Sequence, residues 1–188
     1  MKKQYFLLII VMFSIFSCEE LLDKQPYDVV SEQTFWQTST DAKAGLVACY
    51  DALRSSADHD VFSWERFAAF DLLTPIGMCR NGAVESLTRG NTDATNVMVE
   101  RGWRSHYRGL VRCNDFLSHI DNINFSENEA ELKLQMVGEA HFLRAMYAFA
   151  LTTVWGDVPY FEYVPGMDDI HSERTPQSVI IEKIKADL

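Results

Sequence analysis

Apolar residues recur at spacings of three and four in four stretches of this chain, and each stretch predicts an amphipathic helix. The first covers about 40–55, with Ala42, Leu46, Cys49, Tyr50 and Leu53 on one face. Asp41 near its start and Arg54 near its end both suit the helix dipole. The second covers about 97–121, where Trp103, His106, Leu110, Cys113, Leu117 and Ile120 form the stripe, flanked by Tyr107, Val111 and Asn114. Gly102 and Gly109 interrupt it. Each costs up to about 1 kcal/mol in a helix interior, so a closely approaching partner helix is expected there. The third opens on Ser126 and Glu129, the capping-box spacing, and carries Leu132, Met136, Ala140, Leu143, Tyr147, Leu151 and Val154 down one face. Trp155 and Gly156 end it, with Gly156 available for a left-handed C-cap. The fourth begins at Thr175-Pro176, an N-cap followed by proline at the first helical position. It runs through Val179, Ile180, Lys183 and Ile184 to Leu188 with no C-cap. A pattern that stops inside an amphipathic helix is expected of the front part of a longer protein, or of a truncated product.

The stretches between these helices differ in kind. Ser31 offers an N-cap for a short turn through Phe35-Trp36. Residues 56–96 are irregular, with Phe62, Trp64, Phe67 and Phe70 early, then Pro75, Gly77, Gly82, Gly90 and many polar residues. Some helix is expected over 63–73, and 74–96 reads as one long loop. Long ordered loops are uncommon and are often functional. Residues 160–164 are expected to be extended.

The N-terminus carries a separate pattern. Lys2 and Lys3 precede an apolar run over 5–13, extended by Ser14, Ile15 and Phe16, and then come Ser17, Cys18, Glu19 and Glu20. Two charges before a short apolar core is the build of a secretory signal peptide. The core is shorter than the roughly 20 apolar residues that span a bilayer. With a small residue just before the cysteine, the segment resembles a bacterial lipoprotein signal. Residues 1–17 would be removed and Cys18 lipidated, with two or three acyl chains making a stable anchor. The plainer alternative is an ordinary signal peptide in which Cys18 is incidental. Residues 18–30 then read as an extended tether, since Pro26 pushes Gln25 away from helix, and 31–188 as the helical domain.

Composition narrows the function. The chain has 17 basic and 27 acidic residues, a formal charge of −10. That balance argues against nucleic acid as a partner and against docking on anionic lipid through a basic face. Aromatics at 12% of residues support a packed core rather than disorder. Cys49 and Cys113 lie in helical patterns and read as small core residues, while Cys79 lies in a loop. One disulfide with one thiol left over is possible. No CxxC pair or Cys/His cluster points to a metal. No glycine-rich phosphate loop appears, and no nucleophile elbow. Neither a cofactor nor catalysis is indicated.

Ordered blocks add a family resemblance. Leu22-Asp23-Lys24-Gln25-Pro26, Phe35-Trp36 and 48–53 with Tyr50 form an opening block. Trp103, Tyr107, Gly109 and Arg112-Cys113-Asn114 with Leu117 form a second. Gly138-Glu139-Ala140-His141-Phe142-Leu143-Arg144-Ala145 followed by Trp155-Gly156-Asp157-Val158-Pro159 is the most characteristic run. Arg174-Thr175-Pro176 through Ile184, Asp187 and Leu188 follows. Together they resemble the SusD/RagB family of outer-membrane nutrient-binding lipoproteins. The resemblance implies an all-α fold with tetratricopeptide-like helix pairs, and a cell-surface, lipid-anchored location. It also implies a TonB-dependent transporter (SusC-like) as partner, a glycan or peptide as ligand, and binding without enzymatic turnover. His141 departs from the pattern, standing where the family commonly has arginine.

Two residue sets follow. Sugar faces are met by aromatic rings and planar hydrogen-bonding side chains, so Trp64, Asp71, Arg80, Asn81, Arg89, Asn91 and Asn96 are candidate ligand contacts. The bland alternative is that the aromatics are core and the polar residues shape turns. Trp103, Asn114, Glu139, Arg144, Trp155, Gly156 and Pro159 fall on fold-defining blocks. Glu139, His141 and Arg144 do not converge as an acid–base site needs. Glu139 and Arg144 read as partners of neighbouring helices. A scaffold that docks on the transporter without touching ligand, and a periplasmic or surface hydrolase, are the rival functions.

Overall fold

A computed structural model of the 188-residue chain describes residues 35–53, 74, 77 and 82–188. The predicted signal, the tether, the Ser31 turn, the helix over 63–73 and Cys79 lie outside the described residues.

Among the described residues, the four helices predicted from periodicity are present, with another between the first two. They are α1 (Ser39–Asp51), α2 (Gly82–Thr88), α3 (Val97–His119), α4 (Ala130–Trp155) and α5 (Gln177–Asp187). Short 3-10 turns occupy Ile120–Asn122, Glu127–Glu129 and Met167–His171. α2 overturns the reading of 74–96 as one loop. Two turns are too few to show a period, and the glycines at 82 and 90 mask it, although Ala83, Glu85 and Leu87 are good helix formers. The only β-type pairing among the described residues is an isolated antiparallel bridge between Val158 and Thr175, so 160–164 forms no strand.

The helix ends are set by local chemistry. α1 starts slightly earlier than the sequence suggests. Thr38 is its N-cap, and it exchanges hydrogen bonds with Asp41 in a capping box. The Thr38 hydroxyl and backbone hold the Asp41 carboxyl below its ordinary range. The Ser126–Glu129 capping box forms as expected, one 3-10 turn ahead of α4. Glu129 also accepts a 2.6 Å hydrogen bond from the Ser39 hydroxyl of α1. Bonds from the Ser126 and Ser39 hydroxyls bring its carboxyl down to about 2. Gly156 ends α4 with φ of 70° and ψ of −122°. The positive φ suits glycine, but the ψ places it outside the left-handed helical region that the sequence suggests. Thr175 does not cap α5: Pro176 takes the N-cap place and no side-chain cap bond forms there, while the Thr175 N–H donates to Val158 O. The Asp157 carboxylate accepts from the Gln177 N–H at 2.8 Å instead, reaching α5 from the loop after α4.

α4 lies at the centre, packed against α3, α5 and α1. The core joins Ala42, Leu46 and Cys49 of α1 to Leu110, Cys113 and Phe116 of α3. Met136, Ala140, Leu143, Tyr147 and Leu151 of α4 and Ile180 and Ile184 of α5 complete it. Val154 and Val179, expected on buried faces, are instead exposed at 52% and 45%. Val154 lies in the last turn of α4, and Val179 lies about 100° round α5 from the buried Ile180, off the buried face. Gly109 explains itself. A Cβ there would fall inside the ring of Tyr147, so the glycine lets α3 and α4 meet over a tyrosine whose hydroxyl donates to Cys49 O at 2.7 Å. Gly45 plays the same part in α1, where the Trp36 ring sits against it. That ring stacks on His119 with centroids 4.8 Å apart.

Candidate functional site

Two polar regions carry the candidate residues. The first is the segment that leads into α3. Asn96 is the N-cap of α3, its Oδ1 accepting from the Met98 N–H at 2.9 Å. Its Nδ2 donates to the Ser86 hydroxyl of α2 at 2.8 Å. Both ends of the amide are therefore engaged within the chain. Asp93 holds Thr95 through its N–H and hydroxyl. Arg89 forms a 2.5 Å ion pair with Glu85 one turn back, with 72% of its side chain exposed. The Asn91 N–H donates to Ser86 O, while its side chain faces solvent. Of the predicted ligand contacts the structure thus brings Arg89, Asn91 and Asn96 to one exposed segment. Trp64, Asp71, Arg80 and Asn81 lie outside the described residues, as does Cys18.

The second region is a polar cluster between α3, α4 and α5. Arg144 is 7% exposed. Its Nε donates to Asp187 Oδ2 at 2.7 Å and its Nη2 to Oδ1 at 2.5 Å, a two-pronged pair. Its Nη1 donates to Asn114 Oδ1 at 3.2 Å. His141 Nδ1 lies 2.8 Å from Asp187 Oδ1, which requires the proton on that nitrogen. Burial pushes the Asp187 carboxyl up, but the bonds from Arg144 and His141 outweigh it and the group ends below its ordinary range. Asn114, itself 1% exposed, donates through Nδ2 to Phe161 O at 2.7 Å and Tyr163 O at 2.9 Å. One asparagine therefore fixes the loop after α4 and one prong of the arginine.

The remaining fold-defining positions pack as structural elements. Trp103 meets Trp155 edge-on at 5.6 Å and Tyr107 at 4.7 Å. The Tyr107 hydroxyl donates to Pro159 O at 2.5 Å, and burial pushes its pKa up. Glu139 is not in the buried cluster. It accepts from the Tyr50 hydroxyl of α1 at 2.9 Å and from Gln135 at 2.8 Å, near the surface. Cys49 and Cys113 are free thiols buried in the core. The Cys49 thiol and burial together push Cys113 up, which leaves it inert. Among the described residues no group of His, Cys, Asp and Glu could hold a metal ion. The clustered polar groups are positioned to lock helices together.

Asp187 is the residue whose role periodicity alone does not name. A signal for it exists: 180, 184 and 187 share one helix face, and an acid on the face of two buried isoleucines requires a partner.

The sequence profile of the SusD-like_3 family, "Starch-binding associating with outer membrane", matches residues 20–188. SusD-like protein P38 of Formosa agariphila is 28% identical over 185 residues, covering 97% of this chain and 35% of that protein. SusD-like protein P25 of the same organism is 25% identical, covering 96% and 35%. The chain thus spans about a third of the length of these curated relatives. Among solved structures, a SusD-like carbohydrate-binding protein from Bacteroides fragilis superposes with a TM-score of 0.68 at 26% identity, over 82% of this chain and 32% of that one. A laminarin-binding SusD-like protein superposes with a TM-score of 0.66 at 21% identity, over 80% and 33%, a likeness of fold alone. The helical architecture is the tetratricopeptide-like scaffold of these proteins. The chain belongs to the SusD-like family.

Proposed function

We propose that this protein is a lipid-anchored glycan-binding subunit of the outer membrane that delivers its ligand to a TonB-dependent, SusC-like transporter. The observation that carries this reading is the extent of the family match, which begins two residues after Cys18 and runs to Leu188. The lipoprotein-like signal before it supports an anchor at Cys18 in two or three acyl chains. Ligand is bound without turnover or cofactor. Arg89 and Asn91, exposed beside the start of α3, are the described residues offered for contact, together with Trp64, Asp71, Arg80 and Asn81. Asn96 supports them by holding α2 against α3.

The experiment is affinity electrophoresis of the full chain through gels containing a panel of glycans, followed by assay for released reducing ends. Retardation without release is expected. Reducing ends released by the protein alone would replace this reading with a hydrolase. No retardation by any glycan would overturn binding. Labelled palmitate incorporated by the wild type and lost in Cys18→Ala is expected for the anchor.

A scaffold that docks on the transporter without touching ligand is favoured by one observation. Phe142 and Phe149 are 57% and 58% exposed on α4, two turns apart on one face with Met146 between them. Under that reading Phe142→Ser with Phe149→Ser abolishes co-purification with the transporter and leaves glycan retention unchanged.

A further inference from the structure

Charge is distributed unevenly along this acidic chain. Residues 82–112 hold Arg89, Arg101, Arg104, Arg108 and Arg112 against Glu85, Asp93 and Glu100, a net of +2 with no lysine. Residues 113–188 hold five basic side chains against thirteen acids, a net of −8. A local reversal of sign in a chain of −10 points to what that region meets.

The structure arranges four of these arginines in a row. Arg101, Arg104, Arg108 and Arg112 follow one another at spacings of three, four and four, so they share one face of α3. That face lies beside the buried stripe of Gly102, Ser105, His106, Gly109, Leu110 and Cys113, with Arg104 exposed and the other three arginines half-buried. Over 11 residues the row extends about 16 Å along the helix. Arg112 is held in place by α1, donating to Asp51 at 2.9 Å and to Ala48 O at 3.0 Å. Among the described residues Arg104 pairs only with the exposed Glu100, 3.4 Å away one turn back, with each side chain about half exposed. An exposed pair of that kind is worth a few tenths of a kcal/mol and yields readily to a better acceptor. The structure gives Arg101 no ion pair among the described residues.

We infer that this face of α3 takes an anionic glycan, one bearing carboxylate or sulfate groups, an inference that rests on the glycan-binding reading above. Guanidinium groups present a planar fork that matches carboxylate and sulfate oxygens two at a time, which an ammonium does not. Arg101 and Arg104, one turn apart, offer two such forks, with Arg108 and Arg112 engaged within the chain beside them. The strongly acidic remainder of the chain repels such a polymer elsewhere and confines it to this face.

The test uses the full chain and three probes: a uronic-acid polymer, a sulfated galactan and a neutral glucan. Retention is measured for the wild type, for Arg101→Gln/Arg104→Gln, and for the control Lys183→Gln/Lys185→Gln. Arg101 and Arg104 make no hydrogen bond to another helix among the described residues, so both variants are expected to keep the wild-type circular dichroism. At least one charged polymer should be retained more strongly than the neutral glucan, and less so as salt rises. The arginine variant should lose about tenfold in affinity, as expected for charge-assisted hydrogen bonds, and the lysine variant should not. The preference among the two charged polymers then names carboxylate or sulfate. Charged polymers retained no more strongly than the neutral glucan, or retained equally by wild type and arginine variant, overturn the inference and leave glycan binding standing. Retention of no polymer overturns both. Equal loss in the lysine variant, or binding to anionic vesicles in place of the polymers, also overturns it.

Discussion

Arg144 and Arg89 each pair with one carboxylate, yet they do different work. Arg144 and Asp187 leave only 8% and 5% of their side chains exposed, and the pair joins two helices across the core. Arg89 and Glu85 leave 72% and 42% exposed, and the pair spans one turn. The same contrast divides the asparagines. Asn114 spends its amide on the core, whereas Asn91 turns outward. Burial, more than residue type, decides whether a polar group is a fastening or a surface. Removing one partner of a buried pair strands the other, at a cost of about 3–5 kcal/mol. Breaking an exposed pair one turn apart costs about 0.3–0.5 kcal/mol.

The sharpest way to break this comparison is Arg144→Ala against Arg89→Ala. Thermal unfolding followed by circular dichroism should show a large fall in Tm for the first and almost none for the second. Equal shifts would mean that the buried pair is not a fastening. Acid offers the same test without mutation. The Asp187 and Glu129 carboxyls both lie below their ordinary range in the folded chain. Their contribution is therefore complete only above about pH 5, where the unfolded carboxylates are also ionised, and is lost as pH falls through the lowered folded values, about 2 for Glu129. A denaturant midpoint measured from pH 6 downwards should decline over that window, and less steeply in Asp187→Asn, which starts from a lower stability.

Two glycines give the next contrast. Gly109→Ala forces a methyl into the Tyr147 ring, and the loss of about 1–3 kcal/mol from overpacking exceeds the gain of about 1 kcal/mol in helix propensity. Gly138 is exposed, with nothing near the position of a Cβ, so Gly138→Ala should stabilise by up to about 1 kcal/mol. Opposite signs in urea denaturation are expected. The smallest effect separates the two asparagines of the exposed segment. Asn96→Ala removes the α3 cap at a cost of about 1 kcal/mol, and Asn91→Ala should leave the midpoint where it is. A matching loss in both would give Asn91 a structural role and withdraw it from ligand contact.

The sequence was most legible where the cause is local. The Ser126–Glu129 box, the buried stripes of α3 and α4 and the close approach at Gly109 all follow from spacing within one helix. α2 escaped because seven residues hold too little period. The cap of α5 escaped because Asp157 supplies it from 20 residues away. Val154 lies on the right face of α4 yet is exposed in its last turn, and Val179 lies off the face that Ile180 and Ile184 bury. The candidate site was less legible than the fold. Its polar residues can shape a turn or meet a ligand, and Asn96 shows how fully the first role can absorb a side chain.

The distance in sequence between Arg144 and Asp187 imposes an order of assembly. The carboxylate follows the guanidinium by 43 residues, so a chain emerging N-terminus first completes α4 well before the counter-charge arrives. Until then the seam between α3 and α4 must either bury a lone cation or stay open. α5 is therefore needed to neutralise Arg144 at this seam. A chain stopped at Thr175 should be cut within α4 by a brief pulse of protease under conditions in which the chain through Leu188 resists.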